Sequence, residues 1–246
     1  MSNDFDMSMF TTPNNFKYSA IETDSLTSDG YTIVNILVDA TGSVYDMVDE
    51  IADCVRKIVE ACRKHPRAEQ LLIRVAYFDT SRGIVEAHGF TLLEAIDPSI
   101  YKVVAGGLTP LIDATLDCVE TIESQSKTLS VQEFSSNGIY FVITDGGEND
   151  SRIKDPAKVC ETLGRIRKAE VCESIKGFLI GLNDSGGLNK ELQDFKDKAG
   201  FEDYMSVGDV TPGKLAKLAQ WVSQSISSTS QALNSGGPSQ NVNFQL

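Results

Sequence analysis

The chain has 246 residues, a formal net charge of −13 and an apolar fraction of 41%. That size and apolar content suffice for one large domain with a sizeable core. The acidic balance excludes a nucleic-acid or anionic-membrane surface, because both kinds of binding need clustered basic groups.

Residues 1–30 are polar and irregular, with Pro13 beside Asn14 and Asn15, and are expected to form an extended N-terminal arm. From Tyr31, YTIVNILVD is a near-continuous β-branched and apolar run, the pattern of a strand buried on both faces. From Val44 the period changes. Val44, Met47, Val48, Ile51, Val55, Ile58, Val59 and Cys62 recur at spacings of three and four, which predicts an amphipathic helix. LLIRVAYFD, from Leu71, is a second strand, and GIVEAHGF is either a short strand or a hairpin arm beside it. A second helix starts near Thr109 in GGLTPLIDATLDCVETI. GIYFVITD and ESIKGFLIGL are further strands, separated by the helix PAKVCETLGRIRKAE with Pro156 in its first turn. NKELQDFKDKAG is a helix ended by Gly200, and DYMSV is a short final strand. The last helix, TPGKLAKLAQWVSQSI, is capped by Thr211 with Pro212 following. Nothing after Lys217 is charged, so the chain ends in 29 uncharged residues, and 229–246 reads as a polar C-terminal tail.

This alternation predicts an α/β domain over residues 31–228, with a doubly wound, mostly parallel, Rossmann-like sheet flanked by helices. The five cysteines form no CxxC pair, and His65 and His88 are the only histidines. Buried reduced thiols are expected rather than a disulfide or zinc framework. MSNDFDMSMF lacks the basic-then-apolar pattern of a secretory signal, and no window is apolar enough to span a bilayer. A cytoplasmic protein is the expectation.

Ligands of open α/β sheets bind beyond the carboxyl ends of the strands. One predicted strand ends in Asp39, followed by Thr41 and Ser43. Another ends in Asp145 of ITDGGEND, and Thr109 stands at a helix start. Two carboxylates and three hydroxyls suit a hard cation, Mg²⁺ or else Mn²⁺ or Ca²⁺, and suit zinc or copper poorly. Taken singly, Thr41, Ser43 and Thr109 are each ordinary helix N-caps, and an aspartate at a strand end is an ordinary turn residue. What singles them out is that three separate loops on one predicted edge carry matching groups.

DATGS (39–43), Thr109 in GGLTPL and Asp145 in ITDG resemble the metal-ion-dependent adhesion site of von Willebrand factor type A domains. That pattern is Asp-x-Ser-x-Ser, then a distant Thr, then a distant Asp. The resemblance covers roughly residues 31–228, and LAKLAQWVSQSI is similar to the end of the bacterial branch associated with tellurite resistance and stress. It implies that Thr41 and Ser43 supply hydroxyls to the metal and that Thr109 binds directly or through water. Asp39 and Asp145 would hold coordinated waters and balance charge. The chain departs from the pattern at Thr41, where serine is commoner; the extra methyl restricts the rotamer. The resemblance also implies a non-enzymatic contact, in which the metal accepts a carboxylate from a protein partner.

Enzyme readings fare worse. A dehalogenase-type phosphatase needs an aspartate where Thr41 stands. There is no P-loop GxxxxGK[ST] and no GxGxxG after the first strand, and GLNDSGGLN reads as a plain loop. No Ser-His-acid or Cys-His pairing is visible. Glu148 and Asp150 read as a solvated rim. The alternative to a metal-dependent interaction module is a structural subunit of a virion, filament or large complex, self-associating through its termini.

Overall fold

The computed structural model describes residues 7–235. In chain order the strands and helices are β1 (Met7–Thr11), β2 (Lys17–Ile21), β3 (Gly30–Asp39), α1 (Val48–Cys62), β4 (Leu71–Asp79) and β5 (Gly83–Leu92). There follow α2 (Leu111–Val131), β6 (Ser135–Thr144), α3 (Ala157–Ala169), β7 (Ile175–Gly181), α4 (Gly187–Ala199), β8 (Asp203–Ser206) and α5 (Pro212–Ser235).

The eight strands form one sheet in the order β1-β2-β5-β4-β3-β6-β7-β8. β3 lies inside, parallel to both β4 and β6, and all ten of its residues are buried. β6, β7 and β8 continue in parallel, while β4–β5 and β1–β2 are antiparallel. The sheet is thus mostly parallel, as the apolar runs predict. Period-two alternation splits β3 between two cores. Val34, Ile36 and Val38 face α1 and α5, meeting Ile51, Val55, Trp221 and Val222. Ile33 and Leu37 face the α2, α3 and α4 side, with Val119, Leu163 and Leu192.

Both termini differ from the expected arm and tail. Residues 7–21 form a hairpin that adds β1 and β2 to the sheet beyond β5, with Tyr18 and Ala20 fully buried. The stretch looks irregular in sequence because its strands are short and its burial comes from pairing with a distant strand. Gly89 makes that pairing possible: a Cβ there would stand 1.9 Å from the Ser19 carbonyl oxygen. At the other end α5 runs on to Ser235, and Thr229 and Ser230 are buried. Lacking charge, this stretch packs where a charged one would not. Residues 1–6 of the expected arm and 236–246 of the expected tail lie outside the described residues.

The helix expected from Val44 begins later. Residues Gly42–Met47 wind as a 3-10 turn, and α1 starts at Val48.

Candidate functional site

β3 and β6 are neighbours in parallel register, so their carboxyl ends open on the same edge. This brings Asp39 and Asp145 close although they are far apart in sequence. Asp39 Oδ1 accepts the Thr41 backbone N–H at 2.8 Å, and Oδ2 accepts the Thr144 hydroxyl at 2.6 Å. Ser43 Oγ donates to Asp145 Oδ1 at 2.7 Å, and Thr41 Oγ1 lies 3.0 Å from Ser43 Oγ. With the Ser43 proton committed to Asp145, Thr41 supplies the proton between the two hydroxyls. Asp39, Thr41, Ser43 and Asp145 therefore form one chain of contacts. Neither hydroxyl caps a helix: the 3-10 turn aims Ser43 at Asp145 instead, and Thr41 makes no capping bond.

Thr109 arrives on a third loop. Its N–H donates to Asn149 Oδ1 at 2.7 Å, and its carbonyl accepts the Asn149 N–H at 3.1 Å. A Cβ added to Gly146 would lie 3.0 Å from Thr109 Oγ1, so that hydroxyl sits against the residue following Asp145. No hydrogen bond joins it to the other four side chains. The loop before Thr109 is tied to the Asp39 loop, because Gly42 N–H donates to the Gly107 carbonyl and Gly106 N–H to the Ala40 carbonyl, at 3.2 and 2.9 Å.

Burial, the largest cause, pushes the Asp39 carboxyl up to about 6 against the hydrogen bonds it accepts; nearby Asp145 adds a smaller push in the same direction. Asp145 is raised too, chiefly by burial. Two carboxylates that resist ionising at close range are a place where added positive charge is favourable. Every polar side-chain atom here is oxygen, which fits a hard divalent cation. Among the described residues no group of three or more His, Cys, Asp or Glu side chains gathers as a ligand cluster. Three of the five candidate positions are hydroxyls.

Several supporting residues escape sequence reading. Thr144 anchors Asp39, and Asn149 anchors Thr109. Asp79 ends β4 as Asp39 ends β3; Asp79 Oδ2 accepts Arg82 Nε at 2.7 Å, and the Arg82 guanidinium reaches the Val104 carbonyl. The Thr80 hydroxyl accepts the Leu108 N–H at 2.8 Å. The signal available for Asp79 is an apolar strand ending in an acid. Glu148 is no solvated rim: its carboxylate accepts the Ile112 N–H at 2.8 Å and the Ser151 hydroxyl at 2.6 Å, capping α2, which leaves only Asp150 exposed. Around the site Tyr45, Val104 and Leu108 stand 74%, 62% and 52% exposed.

No family model matches the chain, and no curated protein matches it. Solved structures do share its fold. The minor pilin PilB from Streptococcus sanguinis is similar at a TM-score of 0.53 and 15% identity, over 91% of this chain and 67% of that one. The pilus adhesin SpaC from Lactobacillus rhamnosus GG, in its open conformation, is similar at a TM-score of 0.55 and 10% identity, over 92% of this chain. The chain spans about a third of that adhesin, 34%. At these identities the likeness is one of fold.

The expected cytoplasmic location is corrected by this company. The finding that overturns it is that the solved structures sharing the fold include a minor pilin and a pilus adhesin. The expectation leaned on five unpaired, buried cysteines, and it is corrected at Cys160, which is exposed on α3. Cys54, Cys62, Cys118 and Cys172 are buried, and burial pushes the Cys54 and Cys62 thiols up to about 12. Thiols that stay protonated and shielded are inert, so they do not report the redox state outside.

Proposed function

We propose that this chain is a non-enzymatic interaction module of the von Willebrand A type, serving an adhesive or structural protein assembly through a divalent-cation contact. The observation that carries the reading is the convergence of Asp39, Thr41, Ser43 and Asp145, with Thr109 alongside, on one strand-end edge. Thr41, Ser43 and Thr109 would offer hydroxyl oxygens to Mg²⁺, and Asp39 and Asp145 would balance its charge. When bound, the cation supplies a Lewis-acidic position that accepts an oxygen ligand from a partner, here an acidic side chain. Tyr45, Val104 and Leu108 give that partner exposed apolar surface beside the carboxylates, the arrangement of a binding hot spot. The metal would be obligatory, since a partner's carboxylate must otherwise approach an acidic chain.

The assembly role draws support from the fold shared with a minor pilin and a pilus adhesin. A subunit that only builds, with no cation, is the second reading.

Thermal melting of the wild type and Asp39→Ala over a Mg²⁺ series separates the two. A cation bound only by the folded state stabilises by about 3 kcal/mol at a hundredfold excess over its dissociation constant. That raises the wild-type midpoint by several degrees and leaves Asp39→Ala flat. Equal curves for the two proteins would leave the building-only reading standing.

A further inference from the structure

The sheet has two edges, built differently. β8 closes one with four residues beginning at Asp203. β1 closes the other with MSMFT, Met7–Thr11. Its inner side pairs with β2 through five unbroken register pairs, and among the described residues nothing pairs with its outer side. Soluble proteins usually blunt such an edge with charge, proline, a bulge or a cover. β1 carries no charge, no proline and no bulge. No charged residue occurs between Asp6 and Lys17, a run of ten. Met7 and Met9 are 41% and 68% exposed, on one face of the strand. On the opposite face Phe10 stacks on Tyr18 with ring centroids 5.2 Å apart, joining the core beneath α2.

We propose that β1 is a homotypic docking edge: β1 of a second copy adds to it antiparallel, joining two sheets into one. Unpaired backbone N–H and C=O groups along an edge call for another strand. The charge pattern selects which strand. Copies of a chain with a net charge of −13 repel each other over most of their surface, so they meet best where charge is absent. β1 itself offers a basic partner no acid, and the carboxylate beside it, Glu22, is already engaged by the Ser8 hydroxyl at 2.9 Å. A two-fold centred on Met9 sets Met7 opposite Thr11, Ser8 opposite Phe10, and Met9 opposite its own copy. No like charges are opposed, and both copies of Phe10 lose exposure. One five-residue strand pair is small beside the ~1,600 Å² of a standard interface, so the contact is weak and reversible. It lies at the sheet's end, whereas Asp39 lies on the central β3, and it needs no cation.

Sedimentation equilibrium of the full chain tests this in chelator, from about 10 μM to about 1 mM. The expected result is a reversible monomer–dimer equilibrium, with amides of residues 7–11 gaining hydrogen-exchange protection as concentration rises. Met9→Lys, at an exposed position, places like charges at the two-fold and weakens the dimer about tenfold or more. Val131→Lys, at an equally exposed apolar position on α2, leaves it unchanged. A monomer across the whole range overturns the proposal. So does a dimer that survives Met9→Lys, or one in which residues 7–11 gain no protection.

Discussion

Asp39 is almost out of reach of water, yet the candidate site needs it charged. Its carboxyl titrates near 6 in the fold against 3.8 for the free group, with burial as the main cause. The folded state therefore holds the proton more tightly than the unfolded chain. The stability this group contributes is fully present below about 3.8 and is lost as pH rises through about 6. In chelator, Asp39 should make the protein about 1 kcal/mol more stable at pH 5 than at pH 7. Urea midpoints at the two pH values, compared between wild type and Asp39→Asn, read this directly; the same pH dependence in both proteins would contradict it. Saturating Mg²⁺ should reverse the trend, since the cation favours the ionised form. The five candidate positions were legible in sequence because acids and hydroxyls at strand ends are conspicuous beside apolar runs. Thr144 and Asn149 were not. Each acts on a residue about 40 or 105 positions away, and only the register of β3 with β6 and the path of the 145–151 loop bring the partners together.

At the scale of elements, Arg74 holds three of them. It is fully buried in β4, with Nη1 2.5 Å from Asp117 of α2 and Nε 2.6 Å from Glu86 of β5. Glu86 in turn accepts the Ser19 hydroxyl of β2 at 2.7 Å. Asp117→Ala would leave the buried guanidinium held by Glu86 and should cost about 1.5–3 kcal/mol in urea unfolding, the range for losing a hydrogen bond to a charged group. Adding Arg74→Met should recover part of that loss, because no buried charge then remains on β4, although Glu86 loses its cation. A double variant no more stable than the single one would show that the ion pair itself is required. Strands β3, β4, β6 and β7 could be read from sequence because burial on both faces writes an unbroken apolar run. β1 and β2 could not, since MSMFT and KYSAI mix polar and apolar residues and owe their order to partners elsewhere. Arg74 did leave a trace, as one charge in the middle of the apolar run LLIRVAYFD.

Across the whole molecule, the hairpin is seated on an absence, the missing side chain of Gly89. Gly89→Ala should push β2 off β5 and cost roughly 1–3 kcal/mol, as overpacking does. Trypsin should then cut after Lys17 faster than in the wild type, self-association should fall, and the Mg²⁺ response should persist. An unchanged cleavage rate would show that the hairpin is held by its other contacts alone. The fold class was legible at this scale because strand–helix alternation constrains topology, whereas the surroundings in which the protein works were not. The hairpin's seat also sets a condition on the edge. Asn14 bonds Glu120 of α2 at 2.6 Å across a separation of 106 residues, and Ser19 bonds Glu86 across 67. Closing loops of that length is slow and is rewarded only once the distant surfaces exist. The seat of β1 therefore exists only where β5 and α2 are already formed. A chain in which β5 and α2 are unformed has no seat for β1, so the edge belongs to the folded state alone.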